Sequence, residues 1–334
     1  MIELDGAHGE GGGQTVRTAL SLSAITGEAF RIVNIRAGRP DPGLKPQHLA
    51  GVRLMQRLCS AEVSGDEAGS RELVFRPGRI AGGSYEFDVG TAGSLTLLMQ
   101  SVLPALFFCD REVQLELTGG TDVRWSPPVD HYRLVLLPLL RRMGGSVDME
   151  VMRRGFYPKG GGRVRLRVSG GRLSPLRLEE RGELLGVVGV SCVQNLRAEV
   201  AERMAASALT VLPGARIETE AGLGASAGAG ITLAAEYERT VLGWSALGER
   251  GIPAEKVGRE AANCLRKAMD NGGTVDARTA DQLLPFMALA GDSCLKVGVI
   301  SGHLESQMQL IPHFLPVRFE VREGSPHRIE VIRT

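Results

Sequence analysis

The sequence predicts a mixed α/β (α+β) chain in which three repeated β-α-β-α-β-β units form a pseudo-threefold body, with a smaller α/β domain inserted. Three observations predict it. Apolar periodicity alternates between the strand and helix repeats in the same order three times. A segment at roughly 181–273 interrupts the third repetition with a pattern of its own. The 334 residues, 43% of them hydrophobic, supply core for more than one domain. The repetition is one of pattern, because the copies share little residue identity.

The first unit opens with a strand at Ile2–Asp5 and a helix from about Gln14 to Thr26, with Val16, Ala19, Leu20 and Ala24 on one side. Gly27 stands where a left-handed C-terminal cap belongs. A strand at Phe30–Arg36 and a helix over Pro46–Cys59 follow, then strands near Ala61–Val63 and Glu72–Phe75. The second unit reads as a strand at Tyr85–Val89, a central helix over Ala92–Phe108 that is apolar nearly all round, and a strand at Val113–Thr118. A helix beginning after Asp130 and ending at Gly144 carries Pro138, which predicts a kink. Strands at Ser146–Met152 and Arg163–Val168 close that unit, the last with clean alternation.

The third unit is split. A strand at Arg172–Leu178 opens it, and after the insertion come a helix at Arg278–Ala290 and a strand at Cys294–Val299. A helix from about His303 to Phe314 and strands at Val317–Arg322 and Arg328–Ile332 complete it. The domain division expected is therefore 1–180 with 274–334 as the main body and 181–273 as the insertion. That insertion has strands at Leu184–Val193, Arg216–Thr219, Gly230–Tyr237 and Val241–Leu247, and helices at Glu199–Leu212 and Pro253–Met269. Its low-complexity centre, AGLGASAGAG at 221–230, reads as a mobile loop.

Composition narrows the function classes. The net charge of +1 argues against a general nucleic-acid coat, so a polyanion would be met locally, at a pocket. No apolar run approaches bilayer length, and no basic-then-apolar secretion signal opens the chain, so a cytoplasmic protein with no membrane association is expected. Five widely spaced cysteines (Cys59, Cys109, Cys192, Cys264, Cys294), with no zinc spacing, read as free thiols in a reducing compartment.

The chemistry-bearing residues gather at helix N-termini. Residues 6–17, GAHGEGGGQTVR, hold five glycines around one carboxylate. No Lys-Ser or Lys-Thr follows, so this is not a Walker loop, and Gln14 stands where a dinucleotide fingerprint needs its third glycine. A glycine-rich strand-to-helix turn still directs bare N–H groups at an anion. Glu10, Gln14 and Arg17 open the first unit, Thr91–Ser94 the second; Asp281, Gln282 and His303 lie in the helices of the third. If the units face one cleft, these ends converge on a phosphate-rich ligand, each exposed helix terminus contributing about 0.3–1 kcal/mol. Glu10 reads either as a ligand for a hard cation or as a carboxylate on the helix dipole, and Arg17 either as a phosphate clamp or as a surface ion pair. His303 is a nucleophile candidate, because a neutral imidazole can carry a phosphoryl or nucleotidyl group; a capping or half-buried histidine is the alternative. His8 and His48 are weaker candidates, and His131, His313 and His327 have no convincing partners in sequence.

The ordered blocks LDGAHGEGGGQTVRTALSLSAITG, IRAGRPDPGLKPQHL, TAGSLTLLMQSVLPAL, GGTDVRWSPPVD, RGFYPKGGGRV, ADQLLPFMALAG and GHLESQMQLIPHFLPVRF resemble the RNA 3'-terminal phosphate cyclase family along the whole chain. The resemblance implies ATP-dependent, ligase-like nucleotidyl transfer. A histidine attacks the α-phosphate of ATP, AMP passes to an RNA 3'-phosphate, and the 2'-hydroxyl displaces it to leave a 2',3'-cyclic phosphate. By position, His303 matches the adenylated histidine and Glu10 the metal-binding glutamate, for Mg2+ or Mn2+. Gln14, Arg17, Gln100, Pro127, Asp281 and Gln282 match nucleotide-site residues. Arg36, Arg39, Gln47 and His48 match a block associated with activity, perceived here as the RNA-end candidates. The resemblance also implies the fold of three units plus an insertion. Ser306 and Gln307 replace the family's usual Thr and Asn, and Arg278 stands where some members have a tyrosine near the adenine. The runner-up reading is a non-catalytic RNA-binding ribosome-assembly factor on the same scaffold, against which His303 argues; an enolpyruvyl transferase is a third, without its motifs. ATP and an RNA 3'-phosphate end are the expected partners, and homo-oligomer formation is open.

Overall fold

The computed structural model describes residues 1–9 and 12–334. The chain has the mixed α/β class expected, with four sheets among the described residues. In the first sheet, β1 (Ile2–Asp5), β2 (Phe30–Val33), β3 (Glu62–Ser64) and β4 (Leu73–Arg76) run in the order β1-β2-β4-β3. β1 and β2 are parallel, because α1 (Gln14–Thr26) crosses between them, and β4 is antiparallel to both its neighbours. α1 ends at Gly27, whose φ of 77° lets its N–H reach Ser23 O. β2 stops at Val33 rather than Arg36. Asn34 and Arg36 both take left-handed φ values, which no strand sustains. α2 (Pro46–Cys59) follows the turn so made.

The second sheet has the same order and sense: β5 (Gly83–Asp88), β6 (Val113–Gly119), β7 (Ser146–Arg153) and β8 (Gly162–Ser169) run β5-β6-β8-β7, with β5 parallel to β6 and the rest antiparallel. α3 (Leu95–Leu106) is buried almost throughout, as an all-round apolar helix must be. The helix expected to kink at Pro138 is α4 (Val129–His131), a π-helical stretch at Tyr132–Leu136 and α5 (Leu137–Arg142). The proline has no N–H for the α ladder, and the backbone absorbs that loss by widening one turn.

The third sheet has three strands. After the helix α8 (Ala277–Ala290) come β13 (Cys294–Val297), α9 (Gly302–Leu310), β14 (Val317–Arg322) and β15 (His327–Arg333), ordered β13-β15-β14. Arg172–Leu178 is not a strand: it touches β13 through one bridge, Arg177 to Cys294. Pro175 withholds a donor, and the Leu176 N–H turns to Ser293 Oγ at 3.0 Å.

Between the second and third sheets, β9 (Leu184–Gln194), β10 (Arg216–Gly222), β11 (Gly228–Tyr237) and β12 (Val241–Leu247) form a sheet ordered β10-β9-β11-β12. α6 (Ala198–Val211) and α7 (Ala254–Asp270) cover it, and the two layers enclose their own apolar core from Val193 to Ala268. The glycine-rich stretch 221–230 is not a free loop. It forms the end of β10 and the start of β11, and Ser226 anchors the remainder, its carbonyl accepting from Gln194 Nε2 (2.9 Å) and its hydroxyl from Lys159 N (3.0 Å). Among the described residues no helix is long and apolar enough to cross a membrane.

Candidate functional site

A cleft of about 570 Å³ opens where α1, α3, α8, α9 and β12 approach one another. It is lined by Gln14 and Arg17 from α1, Gln100 from α3, Asp281 and Gln282 from α8, and His303 from α9. Pro127 lines it too, within a wall formed by Val123–Pro128, and Ser245, Leu247 and Glu249 come from the region of β12. With Arg278, eight of the residues singled out in the sequence thus share one cavity.

Each side chain is placed for a local reason. α3 is capped by Ser94, which accepts from Leu97 N; α8 by Asp276, which accepts from Thr279 N; and α9 by Ser301, which accepts from Leu304 N. α1 starts at Gly13, which has no side chain to cap it. His303 sits in the first turn of α9, partly exposed on the cleft wall. One turn further on, Ser306 abuts the glycine stretch: a β-carbon on Gly9 would run into Ser306 Oγ. That contact sets α9 against the first glycine turn.

Arg17 donates from Nε to Gln100 Oε1 at 3.0 Å, joining the first and second sheets' helices. Burial pulls its pKa down to about 10, against the pull of Tyr132 and Asp281, so it remains a cation at neutral pH. Behind it, Gln14, Gln282 and Gln307 each present a buried amide oxygen with no hydrogen-bond partner among the described residues. Unmet buried polar atoms cost about 1–3 kcal/mol each. Gln14 and Gln282 line the cleft and all three line a small adjoining cavity, a clustering that marks a site built to meet a polar ligand.

The RNA-end candidates are not among the cleft-lining residues. Arg36 donates to the carbonyls of Asp41 and Gly43 and so braces its own turn. Gln47 donates from Nε2 to Ser94 O at 3.0 Å, tying α2 to the cap of α3. His48 accepts the Lys45 N–H on Nδ1 at 3.0 Å, which leaves Nε2 facing Gly13. Arg39 lies beside Gly12. His48 and Arg39 therefore lie beside Gly12 and Gly13, where the glycine stretch enters α1. Glu10, the expected metal ligand, lies outside the described residues. Among the described residues, one group could hold a metal by donor type, Asp122, Asp130 and Cys192, and the Arg154 guanidinium already pairs with both carboxylates. Burial also pushes the Cys192 thiol up, away from the thiolate a metal needs.

Several residues of the site escape sequence reasoning. Trp125 is 94% exposed on the cleft rim with a left-handed φ of 62°. Arg124 reaches across to Glu249 at 2.8 Å. Arg278, singled out in the sequence, lines the cleft as well, but its partner there is not legible in the sequence: it stacks over Trp244, 4.3 Å from the ring centroid. His131, without an evident partner in sequence, is buried with Nε2 3.1 Å from Thr279 Oγ1, beneath α8. An exposed tryptophan beside an arginine in GGTDVRWSPPVD was the available signal; the Arg278–Trp244 pair, far apart in the chain, offered none.

The sequence profile described as RNA 3'-terminal phosphate cyclase matches residues 8–321. Relatives of that name include one from Nitrosospira multiformis, 44% identical over 99% of this chain and 96% of its own. Others are from Methanopyrus kandleri, 47% identical over 99% of this chain and 98% of its own, and Archaeoglobus fulgidus, 48% identical over 96% and 98%. Among solved structures, an EPSP synthase from Acinetobacter baumannii aligns over 95% of this chain and 61% of its own, with 12% identity and a TM-score of 0.31, an overlap that carries no argument. With the profile spanning nearly the whole length and relatives this similar from end to end, the chain belongs to the RNA 3'-terminal phosphate cyclase family.

Proposed function

We propose that this chain converts an RNA 3'-terminal phosphate to a 2',3'-cyclic phosphate with ATP, through a covalent His303–AMP. The observation that carries the reading is the meeting of His303 with Arg17, Gln14, Gln100, Asp281 and Gln282 in one cleft. A ring nitrogen of His303 forms a bond to the α-phosphorus, and the bond to the β-phosphate oxygen breaks to release pyrophosphate. An oxygen of the RNA 3'-phosphate then takes the AMP and frees the histidine. Finally the neighbouring 2'-hydroxyl attacks the activated phosphorus, loses its proton, and expels AMP.

In this reading Arg17, half-buried in the cleft wall, meets phosphate oxygens. The amides of Gln14 and Gln282 satisfy their oxygens on ligand donors such as ribose hydroxyls. Gln100 holds Arg17 in register, and Pro127 and Asp281 border the nucleotide. The first turn of α9 supplies dipole stabilisation for charge arriving at His303. Glu10 remains our assignment for a Mg2+ or Mn2+ ion, which when bound would neutralise phosphate charge. Arg36, Arg39, Gln47 and His48 lie on the α2 side of the glycine turn, and we assign that side to the RNA end. The separate core between Val193 and Ala268 supports treating 181–273 as an insertion into a body formed by 1–180 and 274–334.

Incubation of the protein with α-labelled ATP and Mg2+ or Mn2+ should give an acid-labile adduct, absent from His303→Ala, and an RNA ending in a 3'-phosphate should discharge it. An undiminished adduct in His303→Ala would exclude the histidine. No adduct, together with co-purification with ribosomal precursors, would favour the assembly-factor reading.

A further inference from the structure

We infer that Arg154 is a positioning residue for the cleft, clamping both ends of its 122–130 wall and coupling that wall to β10. This rests on the reading of the cleft as a nucleotide site.

The Arg154 side chain is 9% exposed and surrounded by three carboxylates. Nη1 lies 3.4 Å from Asp122 Oδ2, Nη2 lies 2.7 Å from Asp130 Oδ2, and Nη2 and Nε lie 2.7 and 3.0 Å from Glu220 Oε2. Asp122 and Asp130 are the two ends of the segment whose middle, Val123–Pro128, lines the cleft. One guanidinium therefore pins a loop at both feet. The backbone next to it does the same: Thr121 N donates to Gly155 O (2.8 Å), Gly155 N to Thr121 Oγ1 (2.8 Å), and Val129 N to Thr121 O (3.0 Å). Thr121 Oγ1 in turn donates to Asp122 Oδ2 at 2.6 Å.

The third carboxylate gives the clamp its reach. Glu220 belongs to β10, in the sheet whose β12 region brings Ser245, Leu247 and Glu249 to the cleft. Arg154 thus links the 122–130 wall to the sheet that supplies those other lining residues. Arg133 supports the arrangement, 2.8 Å from Asp130 Oδ1 and 3.8 Å from Glu220 Oε1. Only a planar fork of five donors serves three acceptors in divergent directions; a lysine ammonium is a point charge and cannot. A buried pair of this kind is weak evidence for net stability but defines geometry well.

The test compares Arg154→Lys with Glu220→Gln, the second keeping an acceptor at a half-exposed position where misfolding is not expected. Three quantities are measured well below each variant's unfolding midpoint: the KM for ATP in adduct formation, the rate at saturating ATP, and amide hydrogen exchange at 123–128. Positioning predicts a KM rise of about tenfold in Arg154→Lys and a smaller one in Glu220→Gln. It also predicts faster exchange at 123–128 in both. A lowered midpoint with unchanged KM and unchanged exchange would overturn the inference and leave Arg154 a structural residue. If wild type forms no adduct, the nucleotide reading fails by itself, and exchange at 123–128 still decides whether Arg154 clamps the wall.

Discussion

His48 sets a pH limit on this fold that can be worked out from its surroundings. The ring is 8% exposed, its Nδ1 accepts the Lys45 N–H, and Nε2 faces Gly13. Burial first, then the nearby charges of Arg17, Arg36 and Lys45, pull its pKa from 6.5 down to about 3. The unfolded chain therefore binds a proton below pH 6.5 that the folded chain refuses until about pH 3. The contribution is fully present above the unfolded value and is lost as pH falls through that window. From those two values the loss is about 2 kcal/mol at pH 5 and approaches ~5 kcal/mol below pH 3. His48→Asn keeps an acceptor for the Lys45 N–H but cannot titrate. Urea unfolding of both proteins near pH 7.5 and pH 5 isolates the term, since other titrating groups and the lost ring volume cancel in the difference. Wild type should lose about 2 kcal/mol more than the variant between the two conditions. Equal losses would refute a neutral, desolvated His48.

Other expectations follow from the same geometry. Gly13→Ala drives a β-carbon into the His48 ring, so the start of α1 must shift; nucleotide KM should rise at least about tenfold, measured by adduct formation. Ser301→Ala removes the α9 cap beside His303 and should cost about 1 kcal/mol by thermal or chemical unfolding, with slower adduct formation. Trp244→Leu withdraws the face under Arg278 and should weaken ATP binding by about 0.5–1 kcal/mol, read by calorimetry, if that pair borders the base. The Arg124–Glu249 pair is half-exposed on both sides, so a double-mutant cycle on stability should give a coupling below about 1 kcal/mol.

Where sequence reasoning succeeded, the signal was local. α1 runs from Gln14 to Thr26 and stops at Gly27 as expected, because side-chain periodicity and a glycine cap act within a few residues. β8 emerged from the alternation in GRVRLRVS. The failures have local causes that periodicity does not register. Pro175 prevents a strand at 172–178 by withholding one donor, and left-handed residues at 34 and 36 end β2 early. The stretch at 221–230 reads as mobile from composition, yet it supplies the end of β10 and the start of β11, both paired with β9.

The sequence by itself determined the family. Its ordered blocks mark the family, and its lone histidine at the start of α9, its glycine turn and its arginine at position 17 name the candidate groups. Only tertiary structure decided which of them meet. Arg17 and Gln100 are 83 residues apart, and His131 and Thr279 are 148 apart; no periodicity encodes such contacts, because they depend on how buried helix faces pack. The same holds for Arg154: carboxylates from the loop after β6, from α4 and from β10 converge on it only after their backbones are in place, since desolvating that guanidinium is tolerable only where all three oxygens are already at hand.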